Sequence, residues 1–459
     1  MPPSIALFLW LILLFWLLRY DPAKESRTSL ALWVPLIWMF IIESRLPSQW
    51  LGNSSMESAA QAFEEGNSLD RTIYLGLILL SVAILTSRSI NWTGLFARNL
   101  ALTAFLSFAL VSIAWSDFPF VAFKRWFRDL GNYLVIVVVL SDPCPHEAVR
   151  GFLRRLYYLL IPLSILLIKY YPYQAIHYSF WTGLPEYTGA ATSKNTLGAM
   201  CMISGIFFFW DTVRRWPDRK QQHTKRVLIV NLAFIGMTVW LLMISDSATS
   251  RVCLIIGCIV IALSKSRWSK HHPGFLKVLI PAFFCLYLIL AFGLDLNGDL
   301  ASKVGRDPTF TGRTNIWKAV LSTNTNPLIG TGYESFWLGP RLQQVWRLAG
   351  GVNEAHNGYL EVYLDLGIIG FFLVAGLLIA SYKSIWRKLM QSPSLASLAL
   401  PLWIIALFYN MTEAAFTAPF MCLTFLLGTI DVPRKAAVRG VPAEEPSLRG
   451  FHNAEPQQN

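Results

Sequence analysis

Charge is what this chain has least of. Asp, Glu, Lys and Arg make up 14% of its 459 residues and apolar residues 54%, where soluble domains are about one quarter charged. That balance excludes a disordered chain and a water-soluble enzyme. Cysteine chemistry is lacking as well. The six cysteines form no C-x-x-C and no mixed Cys/His cluster, so a structural zinc or a catalytic disulfide is set aside. Cys201, Cys253, Cys258, Cys285 and Cys422 fall in apolar runs and Cys144 in a loop, where thiols serve as small apolar filler. There is no visible internal repeat, which weakens an inverted-repeat transporter. There is also no convincing Asp-x-Asp pair for a nucleotide-sugar metal, so no metal and no cofactor is expected.

Long apolar runs are what remains. A bilayer core needs roughly 20 apolar residues, fewer where flanking side chains snorkel. The runs near 4–18, 28–42, 72–87, 99–114, 130–141, 153–168, 195–212, 227–244, 251–264, 275–294, 359–381, 395–411 and 414–430 predict thirteen spans. The expected fold is therefore all-α: a polytopic transmembrane bundle of about 12–13 spans with one long external loop subdomain. No small-residue cleavage pattern follows the first run, so it reads as a retained span. The segment from about Pro442 to Asn459 reads as a disordered tail.

The formal charge of +12 invites a nucleic-acid reading, and the distribution of that charge removes it. Twenty-five of the 39 basic residues fall on one side, including the run from Arg214 to Arg226. The positive-inside rule makes these cytoplasmic and places the N-terminus outside and the C-terminus inside. Membrane lipids are partners on this reading and nucleic acid is not.

Two segments are then external. One, roughly 43–71, is acidic and carries no arrangement that converts into chemistry. The other, 295–358, holds Gly305-Arg306-Asp307-Pro308, Gly312-Arg313-Thr314-Asn315-Ile316-Trp317, Asn326-Pro327, Gly330-Thr331-Gly332-Tyr333 and Asn353-Glu354-Ala355-His356-Asn357-Gly358-Tyr359-Leu360-Glu361. Helical stretches at 313–321 and 335–347 predict a folded lid. Its aromatic residues, Tyr333, Phe336, Trp337 and Trp346, suit the membrane interface or stacking on sugar rings equally.

His356 is the only histidine in that loop. It reads either as a polar residue at a helix start or as a base near its reference pKa, oriented by Glu354 or Glu361. Arg251 opens a span on the side where few basic residues are expected; it reads as a snorkelling residue or as a cation kept for a substrate. With Arg313 and Arg306 it would form an outward group of guanidiniums whose forks match phosphate oxygens. Lys194, beside Asn195, joins them or serves only topology. A base with several phosphate-matching cations fits a sugar-bearing lipid pyrophosphate, and no nucleotide would be needed.

Together these motifs resemble the O-antigen ligase and exopolysaccharide polymerase family of bacterial inner-membrane proteins. The resemblance is strongest over Leu228–Ala375. It rests on Ser250-Arg251 opening a span, Gly312-Arg313 with Trp317, Asn326-Pro327 followed by Gly330 and Gly332-Tyr333, and Ala355–Glu361 leading into Leu366-Gly367. It implies an undecaprenyl-pyrophosphate-linked oligosaccharide as donor, His356 activating the acceptor, and Arg251 and Arg313 engaging the pyrophosphate. Inversion without a covalent sugar–enzyme intermediate follows from it. Arg306, Lys194, Asn357, Glu361, Tyr333 and Trp317 are the expected substrate-binding residues. The Ala355–Glu361 motif resembles that of exopolysaccharide polymerases more than that of ligases acting on lipid A core. The growing glycan is then the acceptor, and a flippase and a chain-length regulator are candidate partners. Ligases of the family have twelve spans with both ends cytoplasmic, one fewer than expected here. The implied organisation is 1–227 as N-terminal helices, 228–375 as the core with loop 295–358, 376–433 as C-terminal helices and 434–459 as a tail. Two alternatives stay open: transfer to lipid A core or a protein hydroxyl, and a transporter of lipid-linked sugar that uses the arginines only to bind.

Overall fold

A computed structural model describes residues 1–22, 28–52, 66–178, 183–266, 277, 313–391, 393–416 and 426–435. The expected span 275–294, Arg306 and the tail lie outside the described residues, as does most of the expected last span.

Within those bounds the chain is helical. The helices used below are α1 (Pro3–Arg19), α2 (Trp33–Glu43), α3 (Ser68–Thr86), α4 (Leu100–Val111), α5 (Pro119–Leu140), α6 (Pro145–Tyr170), α7 (Lys194–Arg215), α8 (Gln222–Ile244) and α9 (Ala248–Lys265). They continue with α10 (Arg313–Leu321), α11 (Gly339–Ala349), α12 (Gly358–Gln391) and α13 (Pro393–Tyr409). Among the described residues six helices are long and apolar enough to cross a membrane: α3, α6, the α7 stretch Lys194–Asp218, α8, α9 and α12. A seventh span arises if Trp92–Arg98 and Leu100–Trp115, bent by 93°, count as one. Shorter apolar helices stand at Pro3–Arg19, Leu30–Glu43 and Leu395–Tyr409. The protein is thus a multi-spanning helical bundle. An antiparallel pair of strands, Ile176–Tyr178 with Pro185–Tyr187, adds a small non-membrane element that apolar runs could not announce.

Local chemistry explains where the helices begin. Proline occupies the first turn of α1, α5 and α6, where a missing N–H costs nothing. Asn67 and Ser193 cap α3 and α7 by accepting from Leu69 and Thr196 backbone N–H groups. The centre of the bundle is α6 and α7, whose apolar stretches are mostly buried, while α3 and α9 face outward. Where α6 and α7 meet near the cytoplasmic end expected from charge, Asp211 is fully buried and accepts from Arg154, Arg214, Arg215 and Asn231.

Two expectations shift. The run near 130–141 is the second half of α5, whose first half carries Lys124, Arg125, Arg128 and Asp129; charge ended the apolar run but not the helix. The expected span 359–381 is the longer α12, and it is broken. Gly367 has φ 64 and ψ −165. The backbone groups freed by that break are taken up by the loop 327–332. Ile368 and Ile369 N–H donate to the carbonyls of Pro327 and Leu328, and Thr331 and Gly332 N–H donate to those of Leu364 and Asp365. A Cβ on Gly367 would lie 2.3 Å from the Leu328 carbonyl carbon, and one on Gly330 2.3 Å from that of Asp365. Asn326-Pro327, Gly330, Gly332 and Leu366-Gly367 therefore form one device, two backbones in direct contact, which fixes the segment before α12 to a span.

Candidate active site

The segment from α10 to the start of α12 folds over its own small core. Ile316, Val320, Phe336, Trp337, Leu342, Val345, Ala355 and Leu364 are buried together, so α10, α11 and the start of α12 pack as one unit. Two of its indoles hold backbone and a third holds a carboxylate. Trp317 Nε1 donates to the Ala355 carbonyl at 2.9 Å, Trp346 Nε1 to that of Val352 at 2.8 Å, and Trp337 Nε1 to Glu361 Oε2 at 2.8 Å. Glu361 Oε1 accepts from the Ala355 N–H. Ala355 is therefore gripped from both sides, and the next residue is His356.

His356 has φ 50, a conformation uncommon for a non-glycine residue. Asn357 follows and caps α12, its Oδ1 accepting from the N–H groups of Tyr359 and Leu360 at 3.0 and 3.1 Å. The imidazole, 26% exposed, puts Nδ1 2.8 Å from Glu354 Oε1 and 3.4 Å from Glu413 Oε2. Neither oxygen lies in line with the N–H, which has no directed hydrogen-bond partner; the contacts are those of an ion pair. Burial by itself lowers the pKa of the ring, but the two carboxylates outweigh it and raise it to about 9. The expectation of a histidine near its reference value is corrected: the resting group is an imidazolium at neutral pH.

Glu413 was not foreseen, and it organises the site. It is buried in the turn after α13. Its Oε1 accepts from Arg313 Nη2 at 2.8 Å and from Asn195 Nδ2 at 3.1 Å, while Oε2 faces His356. One carboxylate thus joins α7, α10 and the start of α12. Gly358 permits this closeness: its N–H donates to the carbonyls of Asn410 and Glu413, and a Cβ there would lie 2.0 Å from Asn410 Oδ1.

The other expected residues fall at measurable removes. Arg251 Nη2 bonds Asp246 Oδ1 at 2.7 Å at the start of α9. That end is tied to the Glu413 turn by Thr249 and Thr412, whose hydroxyls are 2.9 Å apart. Lys194 pairs with Glu186 at 2.8 Å, one residue from Asn195. Glu361 and Trp317 bond the backbone at Ala355, beside His356, and Asn357 Oδ1 caps α12. Tyr333 points elsewhere, its hydroxyl donating to Asp129 at 3.1 Å. Arg306 lies outside the described residues. Glu354, His356 and Glu413 place one ligand atom each within 4.8 Å of one another, a spacing that suits a cation, although Arg313 already occupies one side of Glu413.

The segment from α10 to the start of α12 thus brings a histidine and an arginine to one buried carboxylate of a multi-pass helical bundle. Residues 232–375 match the sequence model of the O-antigen ligase family. The chain is 24% identical over 362 residues, 74% of its length and 79% of the relative's, to the exopolysaccharide production protein ExoQ of Rhizobium meliloti (strain 1021).

Proposed function

We propose that this protein is an exopolysaccharide or O-antigen polymerase that transfers a glycan from an undecaprenyl-pyrophosphate-linked donor to an acceptor hydroxyl at the outer face of a bacterial inner membrane. The observation that carries the reading is the meeting of His356, Arg313 and Glu413.

The acceptor oxygen attacks the anomeric carbon as the bond from that carbon to the pyrophosphate oxygen breaks, inverting the centre. The hydroxyl proton passes to His356. With Nδ1 held against Glu354 and Glu413, a neutral ring keeps its proton there and offers Nε2. The same carboxylates make the ring a stronger base and a rarer one, since only the neutral fraction can act. Charge developing on the departing pyrophosphate is met by Arg313 and Arg251, whose forks match phosphate oxygens and are held in place before the reaction. Arg313 exchanges Glu413 for the pyrophosphate when donor binds. Neither nucleotide nor metal enters these steps.

Purified protein in vesicles, given the organism's lipid-linked oligosaccharides without nucleotide, tests the reading. Longer lipid-linked products are expected. Product only after lipid A core is supplied would make the protein a ligase, and donor crossing the membrane unchanged would make it a transporter.

A further inference from the structure

A transfer of the kind just proposed needs an acceptor as well as a donor, and the residues around His356 are assigned to the base and the donor pyrophosphate. The charged first half of α5, which the apolar pattern concealed, lies against the start of α3 and forms a second feature on the same side of the membrane. A cavity of about 320 Å³ opens between the two helices, a size suited to a small-molecule site. Its walls are apolar through Tyr74, Leu75, Ile78, Phe123 and Phe127, and its rim carries Arg71, Lys124, Arg125 and Arg128. Four basic side chains line it, of which Arg128 is paired with Asp129 at 3.0 Å and with Glu334 at 3.4 Å. Leu75 and Phe123 are 47% and 46% exposed, and Leu79 and Leu80 continue an apolar face down α3. Polyvalent positive charge directly above a lipid-facing apolar track matches an amphiphile with a multiply charged phosphate head and a long hydrocarbon tail.

Arg128 and Tyr74 also wall a second, smaller cavity on their other side. It holds about 190 Å³ and is lined by Ile41, Ile42 and Leu46 together with Trp38, Ser44, Asn132 and Thr192. The Ser44 and Thr192 hydroxyls and the Asn132 carboxamide are groups that can pair with sugar hydroxyls, while Trp38 is fully buried and donates its N–H to Asn132. Thr192 is three residues from Asn195, whose side chain donates to Glu413. The external segment connects the same two places. Arg125 Nη1 donates to the Glu334 carbonyl at 2.6 Å and Arg128 pairs with the Glu334 carboxylate at 3.4 Å. The backbone N–H groups of Ser335 and Phe336 then donate to Asp365, one turn along α12 from Glu361. Glu334 has φ 45 and His356 φ 50, so the segment is held in an uncommon conformation at each end.

We infer that the crevice between α3 and α5 is the acceptor site: it holds a polyprenyl-diphosphate-linked glycan by its diphosphate, at Arg71, Lys124 and Arg125, with the glycan leading past Thr192 toward His356. The inference rests on the transfer reading for the word acceptor, and its test reads binding alone.

The test uses the whole protein in vesicles of phosphatidylethanolamine and phosphatidylglycerol, with diazirine-bearing undecaprenyl pyrophosphate as the photoprobe and peptide mapping of the adducts. Wild type is expected to be labelled on α3 and α5. In the Arg71→Gln/Lys124→Gln double variant that label should fall about tenfold or more, the loss of two charge-assisted contacts. Adducts near Arg251 should persist, which also reports that the variant is folded. Unlabelled undecaprenyl pyrophosphate should displace the α3/α5 label and excess phosphatidylglycerol should not. Equal labelling of the two proteins, absence of α3/α5 adducts in wild type, or displacement by phosphatidylglycerol would each overturn the assignment. Failure of wild type to extend a glycan would strike the transfer reading, a result separate from all of these.

Discussion

His356 sits between two opposing demands. A base must be neutral to accept a proton, yet its neighbours Glu354 and Glu413 favour the charged form and hold its pKa at about 9. The sign of the consequence is fixed. Below that pKa the neutral fraction, and with it the transfer rate, grows about tenfold per pH unit and levels once the ring is neutral. Glu413→Gln removes one of the raising charges, so the rising limb should move to lower pH while Arg313, deprived of its partner, binds donor differently. A pH–rate profile of the two proteins checks this; a limb that stays in place, or a rate that falls as pH rises toward 9, would show that His356 acts in its protonated form. The sequence made His356, Arg313 and Arg251 legible because each breaks a local rule: a histidine in a loop otherwise without one, and arginines on the side where basic residues are few. Glu413 escaped because two apolar runs end on either side of it, and it read as a connector. An ionisable residue lodged between two spans was the available signal.

At the scale of elements, the short motifs divide into those that carry chemistry and those that hold it. Gly330 and Gly367 place two backbones in contact at a broken span, and neither tolerates a side chain. Gly367→Ala must adopt an unfavourable φ and push against Leu328; a loss on the order of 1–3 kcal/mol is expected, read as a lower thermal midpoint in detergent. Gly376→Ala, in the same helix with nothing near the added methyl, should leave the midpoint unchanged or raise it. Equal effects of the two substitutions would remove the special role of the break. Trp317, Glu361 and Asn357 belong with the holding residues: spacing placed them near His356 but could not tell a contact to substrate from a contact to backbone, since both use the same polar atoms. The helix start at Pro119 was hidden because apolar periodicity fails where a helix carries Lys124, Arg125, Arg128 and Asp129.

For the whole molecule, the bundle was the most legible feature, since runs near 20 residues have few other uses. The number of spans was less so: α1, α2 and α13 are short apolar helices, and broken or bent helices such as α12 do not map one to one onto apolar runs. The account places α10, α11 and His356 outside the cell membrane and the basic turn between α7 and α8 inside. In a cysteine-free background, Arg347→Cys should react with a membrane-impermeant maleimide on intact spheroplasts, and Lys220→Cys only after permeabilisation. The opposite pattern would move the site to the cytoplasmic face, where nucleotide-linked donors are available and the argument for a lipid pyrophosphate weakens. Because His356 stands in a loop whose backbone is gripped by Trp317 and Glu361, its side chain can be removed without disturbing a span.

Glycan extension by wild type and His356→Ala, each reconstituted in vesicles with the same lipid-linked oligosaccharides, a chelator and no nucleotide, tests the central claim most directly. The account predicts longer lipid-linked products from wild type and a loss of about 100-fold or more in the variant, with both proteins equally folded and inserted. Comparable extension by the two proteins would contradict it.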